Sequence, residues 1–159
     1  MISPVEAVIY DFHGTLADVR EVLPLIAEKR YDEFYEASLS CPPIESTVLA
    51  ARHSHQAGYA NLLLTGMPDR HHDGLQEWLH RHDVPVSMTL MRTPNDGFKK
   101  DFMVKRRMYR TLLDLGYRVM KAWEDSPAVI DLWKAQGVPV EEMPRLMLPT
   151  EVDKPLAAS

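Results

Sequence analysis

Asp11 lies at the end of the apolar run "AVIYDF" (7–12), and Gly14-Thr15 follow at once. A buried strand that ends this way delivers a carboxylate to its tip. Further along, Thr65 and Gly66 end a second apolar run, Lys105 sits in a basic amphipathic stretch, and Glu124-Asp125 end another strand-like segment. One carboxylate, one hydroxyl, one lysine and an acidic pair form a set that suits phosphoryl transfer. A carboxylate can attack phosphorus and form an acyl phosphate. Mg2+ prefers hard oxygen ligands, which Asp11 and Asp125 can supply. A hydroxyl, backbone N–H groups and a lysine can neutralise the equatorial oxygens. Taken singly, each signal has a plain reading: a turn for Asp11, a solvated helix position for Lys105, a helix N-terminus for Glu124-Asp125, and a surface position for Arg92. Their order along one chain favours the functional reading.

Those residues meet only if strand ends are brought side by side. Strands are expected at 7–12, 59–66, 86–92, 117–125 and 138–144, and helices at 45–58, 69–84, 101–116 and 126–137. Val48, Leu49 and Arg52 give the first helix a face, with Gly58 as its stop. Leu75, Trp78 and Leu79 point the second inward. Phe102, Val104, Met108, Leu112 and Leu115 run at helical spacing in the third, and Ser126-Pro127 form an N-cap and N1 pair for the fourth. Residues 17–43 read as helical or irregular, lying over the first strand end. Alternating strands and helices with right-handed crossovers imply an α/β, three-layer α/β/α fold around a parallel sheet. Ligands of such sheets gather at the carboxyl ends of the strands. Those ends carry Asp11 and His13, then Thr65 and Gly66, then Arg92 with Asp96 and Lys99 beyond it, then Glu124 and Asp125.

Composition sets the outer bounds. The 159 residues are 45% apolar and 26% charged, which fits one soluble globular domain. That domain is expected at 1–145, with a Pro-containing polar tail at 146–159. A net charge of −5 leaves no overall basic footprint. The single cysteine, Cys41, allows no intrachain disulfide and fits a reducing compartment. No signal peptide and no membrane span are expected, so the default location is cytoplasmic.

"VIYDFHGTLAD" resembles motif I of the haloacid dehalogenase (HAD) superfamily of phosphatases, a hydrophobic run followed by D-x-D-G-T. "LLLTG" resembles motif II, Lys105 the motif III lysine, and "AWED" the acidic motif IV. More narrowly, "GLQEWLHRHDVP", "LMRTPNDGFKKDFMVKRRMY" and "WEDSPAVIDLWKAQGV" are similar to the phosphatase domain of polynucleotide kinase-phosphatases, including small phage-type relatives. The likeness covers roughly residues 5–142, and no P-loop GxxxxGK[ST] is present. It implies a Rossmann-like HAD fold without a large cap, open to a large substrate. It implies Asp11 as nucleophile and Mg2+ ligand, and the backbone carbonyl of His13 as a second ligand. Thr65 would bind phosphate with Gly66 beside it, Lys105 would hold nucleophile and phosphate together, and Asp125 would complete the metal site with Glu124. Arg92 matches the family arginine ahead of D-x-x-V-K. The arginine expected after motif II is Met67 here, and Arg70 is its nearest substitute for substrate binding.

His13 stands where the family has a second carboxylate, the group that protonates the leaving group and then activates water. An imidazole can do both jobs. A nearby metal ion would lower its pKa, so activity with a more acidic optimum is expected. Motif IV is Glu-Asp rather than Asp-Asp and is followed by Ser126 rather than arginine. The leading expectation is Mg2+-dependent hydrolysis of a phosphomonoester, on a polynucleotide 3′ end or a nucleotide. Two alternatives stand beside it: a catalytically impaired HAD-fold module that binds phosphate or nucleic acid, and a small-metabolite phosphatase. His53, His55, His71, His72, His80 and His82 lack zinc-site spacing and read as solvated. Lys99, Lys100, Arg106, Arg107 and Arg110 could form a local basic face, while Trp123 and Trp133 read as core.

Overall fold

The computed structural model describes residues 3–146. Five strands lie in one parallel sheet: β1 (Val5–Tyr10), β2 (Ala60–Pro68), β3 (Met88–Arg92), β4 (Tyr117–Glu124) and β5 (Val140–Glu142), in the order β3-β2-β1-β4-β5. The helices are α1 (Leu23–Ala27), α2 (Tyr31–Ser38), α3 (Glu45–Gln56), α4 (His72–Arg81), α5 (Asp101–Asp114) and α6 (Pro127–Ala135). The expected α/β three-layer architecture is therefore present. The tail expected from residue 146 begins at Leu146, which packs on the core, and otherwise lies outside the described residues.

β1 is the centre, and its period-2 alternation divides the core. Val8 and Tyr10 face one layer with Val48 and Ala51 of α3 and Leu75, Trp78 and Leu79 of α4. Ala7 and Ile9 face the other with Val104, Met108 and Leu112 of α5 and Val129, Leu132 and Trp133 of α6. Trp78 and Trp133 are fully buried, one in each layer, so truncating either to Ala costs about 3–5 kcal/mol.

Several sequence expectations shift. In α3 the inward residues are Thr47, Val48 and Ala51; Leu49 is exposed, because only Val48 of the expected face falls on the side that meets the sheet. Leu115 follows the last turn of α5 and is exposed as well. Trp123 is half-buried rather than core and stacks on Tyr10 with ring centroids 6.1 Å apart. Ser126 is the N-cap of α6, but its hydroxyl makes no cap bond. Glu124 Oε1 instead accepts the N–H groups of Asp125 and Ser126, each at 3.1 Å. His71 is not simply solvated: its Nε2 is buried without a partner, and its ring lies near Tyr35.

Two features of the sheet place the chemistry. The chain leaves β1 toward β2 and β3 on one side and returns to β4 and β5 on the other, which opens a crevice at the carboxyl ends of β1 and β4. The end of β2 is irregular: Leu64 pairs with Leu90 and Pro68 with Arg92, so extra residues on β2 bulge out around Gly66. Between β1 and α3 the chain forms a 3-10 turn at Arg20–Val22 and the short helices α1 and α2. Phe34 of α2 is buried in the core and Trp78 Nε1 donates to the Cys41 carbonyl at 2.9 Å, which docks this segment as a small lid. Among the described residues no helix is long and apolar enough to cross a membrane.

Candidate active site

Asp11 follows β1 directly, and its N–H donates to the Trp123 carbonyl of β4 at 3.2 Å, which ties the two strand ends together. Its carboxylate is 7% exposed. Lys105 rises from the first turns of α5 and donates from Nζ to Asp11 Oδ1 at 2.7 Å and to Glu124 Oε2 at 2.8 Å. Thr15 Oγ1 donates to Asp11 Oδ2 at 3.3 Å. Asp125 is brought in by Gly14. A Cβ at that position would lie 2.2 Å from Asp125 Oδ2, and the glycine also has φ +82°. No other residue fits there without moving the aspartate.

Charge in this crevice is unbalanced. Three carboxylates, on Asp11, Glu124 and Asp125, face one ammonium. Burial, then the Glu124 carboxylate, push Asp11 up to about 7 despite Lys105. Burial and the Asp11 carboxylate push Asp125 up to about 7 as well. Burial on its own would lower the Lys105 ammonium, but Asp11 and Glu124 override it and hold it well above its ordinary value. One oxygen from each of the three carboxylates lies within 4.8 Å of the other two. An all-oxygen, over-acidic set of this kind fits a hard divalent cation, whose charge would offset the burial and the repulsion that raise Asp11 and Asp125.

The other expected residues divide. Gly66 lines the same cleft, whose volume is about 1040 Å³. Thr65 does not: it is fully buried, and its Oγ1 accepts the Met67 N–H at 3.2 Å, so it shapes the turn that presents Gly66. Arg92 lines the cleft but is already engaged. Its Nε donates to the Gly66 carbonyl at 2.9 Å, its Nη1 to the Gly97 and Lys99 carbonyls at 3.1 and 2.7 Å, and its Nη2 to Asp101 at 2.7 Å. It is a clamp on the cleft wall rather than a free substrate arginine. Arg70 is likewise on the wall, paired with Asp32 of α2 across the cleft mouth.

Asp101 is the residue that sequence reasoning left without a role. It sits one helical turn before Lys105 on the same face of α5, pairs with Arg92, and lies so close to Gly66 that a Cβ there would be 2.3 Å from its Oδ1. Its place at the head of "DFMVK" is the signal that marks it.

His13 lines the cleft, but its Nε2 meets Ser38 Oγ at 3.0 Å and its ring packs against Phe34 and Tyr35 of α2. The Ser38 hydroxyl donates its one proton to the Tyr35 carbonyl at 2.7 Å, so Ser38 can only accept from His13. That fixes the Nε2–H tautomer and leaves Nδ1 as the free acceptor nitrogen. Burial pushes the imidazole down to about 3, so the ring is neutral at pH 7. The two-way proton role expected for His13 is thereby weakened on both sides: the ring is not a ready acid, and it accepts a proton only weakly.

Similarity to known proteins follows the same lines. A sequence model described as "Polynucleotide kinase PNKP phosphatase domain" matches residues 5–144. No curated protein matches the chain significantly. Two solved structures of the Pnkp1/Rnl/Hen1 RNA repair complex contain a similar fold. One aligns at TM-score 0.77 and 22% identity over 91% of this chain and 48% of that one. The other aligns at TM-score 0.73 and 20% identity over 89% of this chain and 43% of that one. The protein thus spans less than half the length of those relatives. The class C acid phosphatase from Bacillus anthracis aligns at TM-score 0.68 and 13% identity over 99% of this chain and 75% of that one. With the family pattern matched from β1 to beyond β5, the chain belongs to the PNKP phosphatase-domain family, and is a HAD-type phosphatase.

Proposed function

We propose that the protein is a Mg2+-dependent phosphomonoesterase that works through an aspartyl phosphate on Asp11. We further propose that its substrate is a polynucleotide 3′-phosphate or a nucleotide. The observation that carries this reading is the over-acidic set of buried Asp11 and Glu124 and half-buried Asp125 around Lys105 at the β1/β4 crevice. Asp11, Asp125 and the His13 carbonyl would hold Mg2+, which when bound supplies positive charge to the carboxylates and to the phosphoryl oxygens. Glu124 has a different part: both of its oxygens are engaged, by Lys105 and by the N–H groups that open α6.

In the first half-reaction an Asp11 oxygen attacks phosphorus, the bond from phosphorus to the ester oxygen breaks, and the leaving oxygen takes a proton. In the second, water attacks phosphorus, loses a proton, and frees phosphate while restoring Asp11. Lys105 keeps Asp11 oriented and offsets phosphoryl charge throughout. The free Nδ1 of His13 would be only a weak acceptor for the attacking water of the second half-reaction. With no ready acid at position 13, the first draws its proton from solvent in the open cleft.

The test is phosphate release with Mg2+ from a 3′-phosphorylated oligonucleotide and from p-nitrophenyl phosphate. Wild-type release from both, lost in Asp11→Asn, is expected. Release that survives Asp11→Asn overturns the nucleophile assignment. One observation favours a second reading, a module that binds phosphate and turns it over poorly: the neutral His13 held by Ser38. His13→Asp separates the two, since it raises turnover if the remainder of the site is competent.

A further inference from the structure

We infer that Phe98 is a stacking platform for a nucleobase near the phosphorylated end of the substrate, an inference that rests on the phosphatase reading above. Phe98 lies in the wall of the cleft that contains Asp11 and Lys105, yet its side chain is fully exposed, the most exposed large apolar group among the described residues. A lone exposed apolar residue is ordinary on a protein surface. This one differs in how it is held.

The backbone on both sides of Phe98 is fixed. Arg92 donates to the carbonyls of Gly97 and Lys99, at 3.1 and 2.7 Å. Just upstream, Thr93 and Asp96 form a reciprocal cap, with the Thr93 N–H on Asp96 Oδ2 at 2.8 Å, and Arg107 grips the same carboxylate with two bonds of 2.7 Å. Gly97 adopts φ +51°, and nothing lies within 4 Å of where its Cβ would be. The clamps fix the backbone that carries the ring on the cleft wall. With the backbone already ordered, binding has only the side-chain rotamer left to fix.

The surroundings name the ligand chemistry. Lys99 and Lys100 follow Phe98 directly and are exposed on the same wall, with Lys29 also lining the cleft. An exposed aromatic face in a cleft also lined by ammonium groups fits a base and its phosphodiester neighbours. A sugar phosphate offers no π face to stack on the ring, and an acidic peptide does not need one. A mononucleotide and a strand end both carry a base, so the test includes both.

The experiment measures kcat and KM of the full chain with Mg2+ on four substrates: a 3′-phosphorylated oligonucleotide, the same strand with abasic terminal residues, a nucleoside 3′-monophosphate and p-nitrophenyl phosphate. Phe98→Ala is expected to raise KM for the normal oligonucleotide about 5- to 100-fold, with kcat moving far less. Phe98→Trp restores it. On the abasic strand the wild type already shows the raised KM, and Phe98→Ala adds nothing. A KM effect on the mononucleotide too places the base on the phosphorylated residue itself; an effect on the strand alone places it further in. Equal KM for wild type and Phe98→Ala on the normal oligonucleotide overturns this inference and leaves the phosphatase reading standing. A wild type that hydrolyses p-nitrophenyl phosphate but not the oligonucleotide or the mononucleotide overturns the substrate class, and this inference with it.

Discussion

Helix α5 carries two buried-end ion pairs two residues apart, and they are built on opposite principles. Lys105 reaches into the crevice, where its ammonium is 3% exposed and faces Asp11 and Glu124, with Asp125 beside them. Arg107 turns the other way, 41% exposed, and grips one carboxylate, Asp96, in a bidentate fork. The Asp96 pair is neutral and closed: every oxygen of the carboxylate is used, by Arg107, Thr93 and the cap of the turn. The Lys105 set is negative and open, with Asp11 and Asp125 pushed upward by burial and then by the neighbouring carboxylates. A closed pair stabilises a loop. An open one has charge left to meet a cation and a phosphoryl group, which is the part the proposed mechanism gives it.

The contrast can be broken at its strongest point first. Asp11→Asn is expected to abolish turnover by at least about 10³-fold, read as phosphate release. It should not lower stability. Asn keeps an acceptor for Lys105 while one of three crowded negative charges is gone, so a thermal melt should show an equal or higher Tm. Lys105→Met works in the opposite sense on stability. It strands Asp11 and Glu124 without their ammonium and is expected to cost about 3–5 kcal/mol by urea titration, together with a loss of turnover. Were Lys105→Met as stable as the wild type, the crevice would be better hydrated than its burial indicates. The closed pair has the converse profile. Asp96→Asn is expected to cost about 1–3 kcal/mol while kcat on p-nitrophenyl phosphate stays within a few-fold of wild type, because Asp96 touches the cleft only through the turn that bears Phe98.

Much of this was legible in sequence. The alternation of β1 and the inward Leu75, Trp78 and Leu79 of α4 follow from periodicity, because burial on one face leaves a regular mark. Asp11 and the Glu124-Asp125 pair stand at strand ends, which a parallel sheet brings side by side, while Lys105 stands out in sequence only by its place in "DFMVK"; the structure brings all four together. What escaped depends on side-chain direction. Arg92 is a clamp and Thr65 a buried strut because the β2 bulge turns Gly66, not Thr65, toward the cleft. His13 was read as a two-way proton carrier; the Ser38 hydroxyl, contributed by a helix more than twenty residues away, restricts it. The pairing of Asp101 with Arg92 and its close approach to Gly66 are likewise tertiary contacts, which its place at the head of "DFMVK" does not reveal. Periodicity reports which face a residue occupies. It does not report which partner meets it there.

The smallest expected effect tests the closed pair alone, through pH. Arg107, followed by the Thr93 bonds, holds the Asp96 carboxyl down to about 2 in the folded protein, from 3.8 in the open chain, against the burial that would raise it. A group whose folded pKa is depressed binds fewer protons when folded, so its contribution is complete above the unfolded value and fades as pH falls toward the folded one. The pair should therefore supply about 2 kcal/mol at pH 5 to 7, lose it between about pH 4 and 2, and supply none below that. Urea titrations of wild type and Asp96→Asn across this range isolate the group from every other acid that titrates there. The two stability curves should run parallel above pH 4 and converge toward pH 2. Curves that stay parallel down to pH 2 would mean that Arg107 does not hold Asp96 as tightly as its two 2.7 Å bonds require.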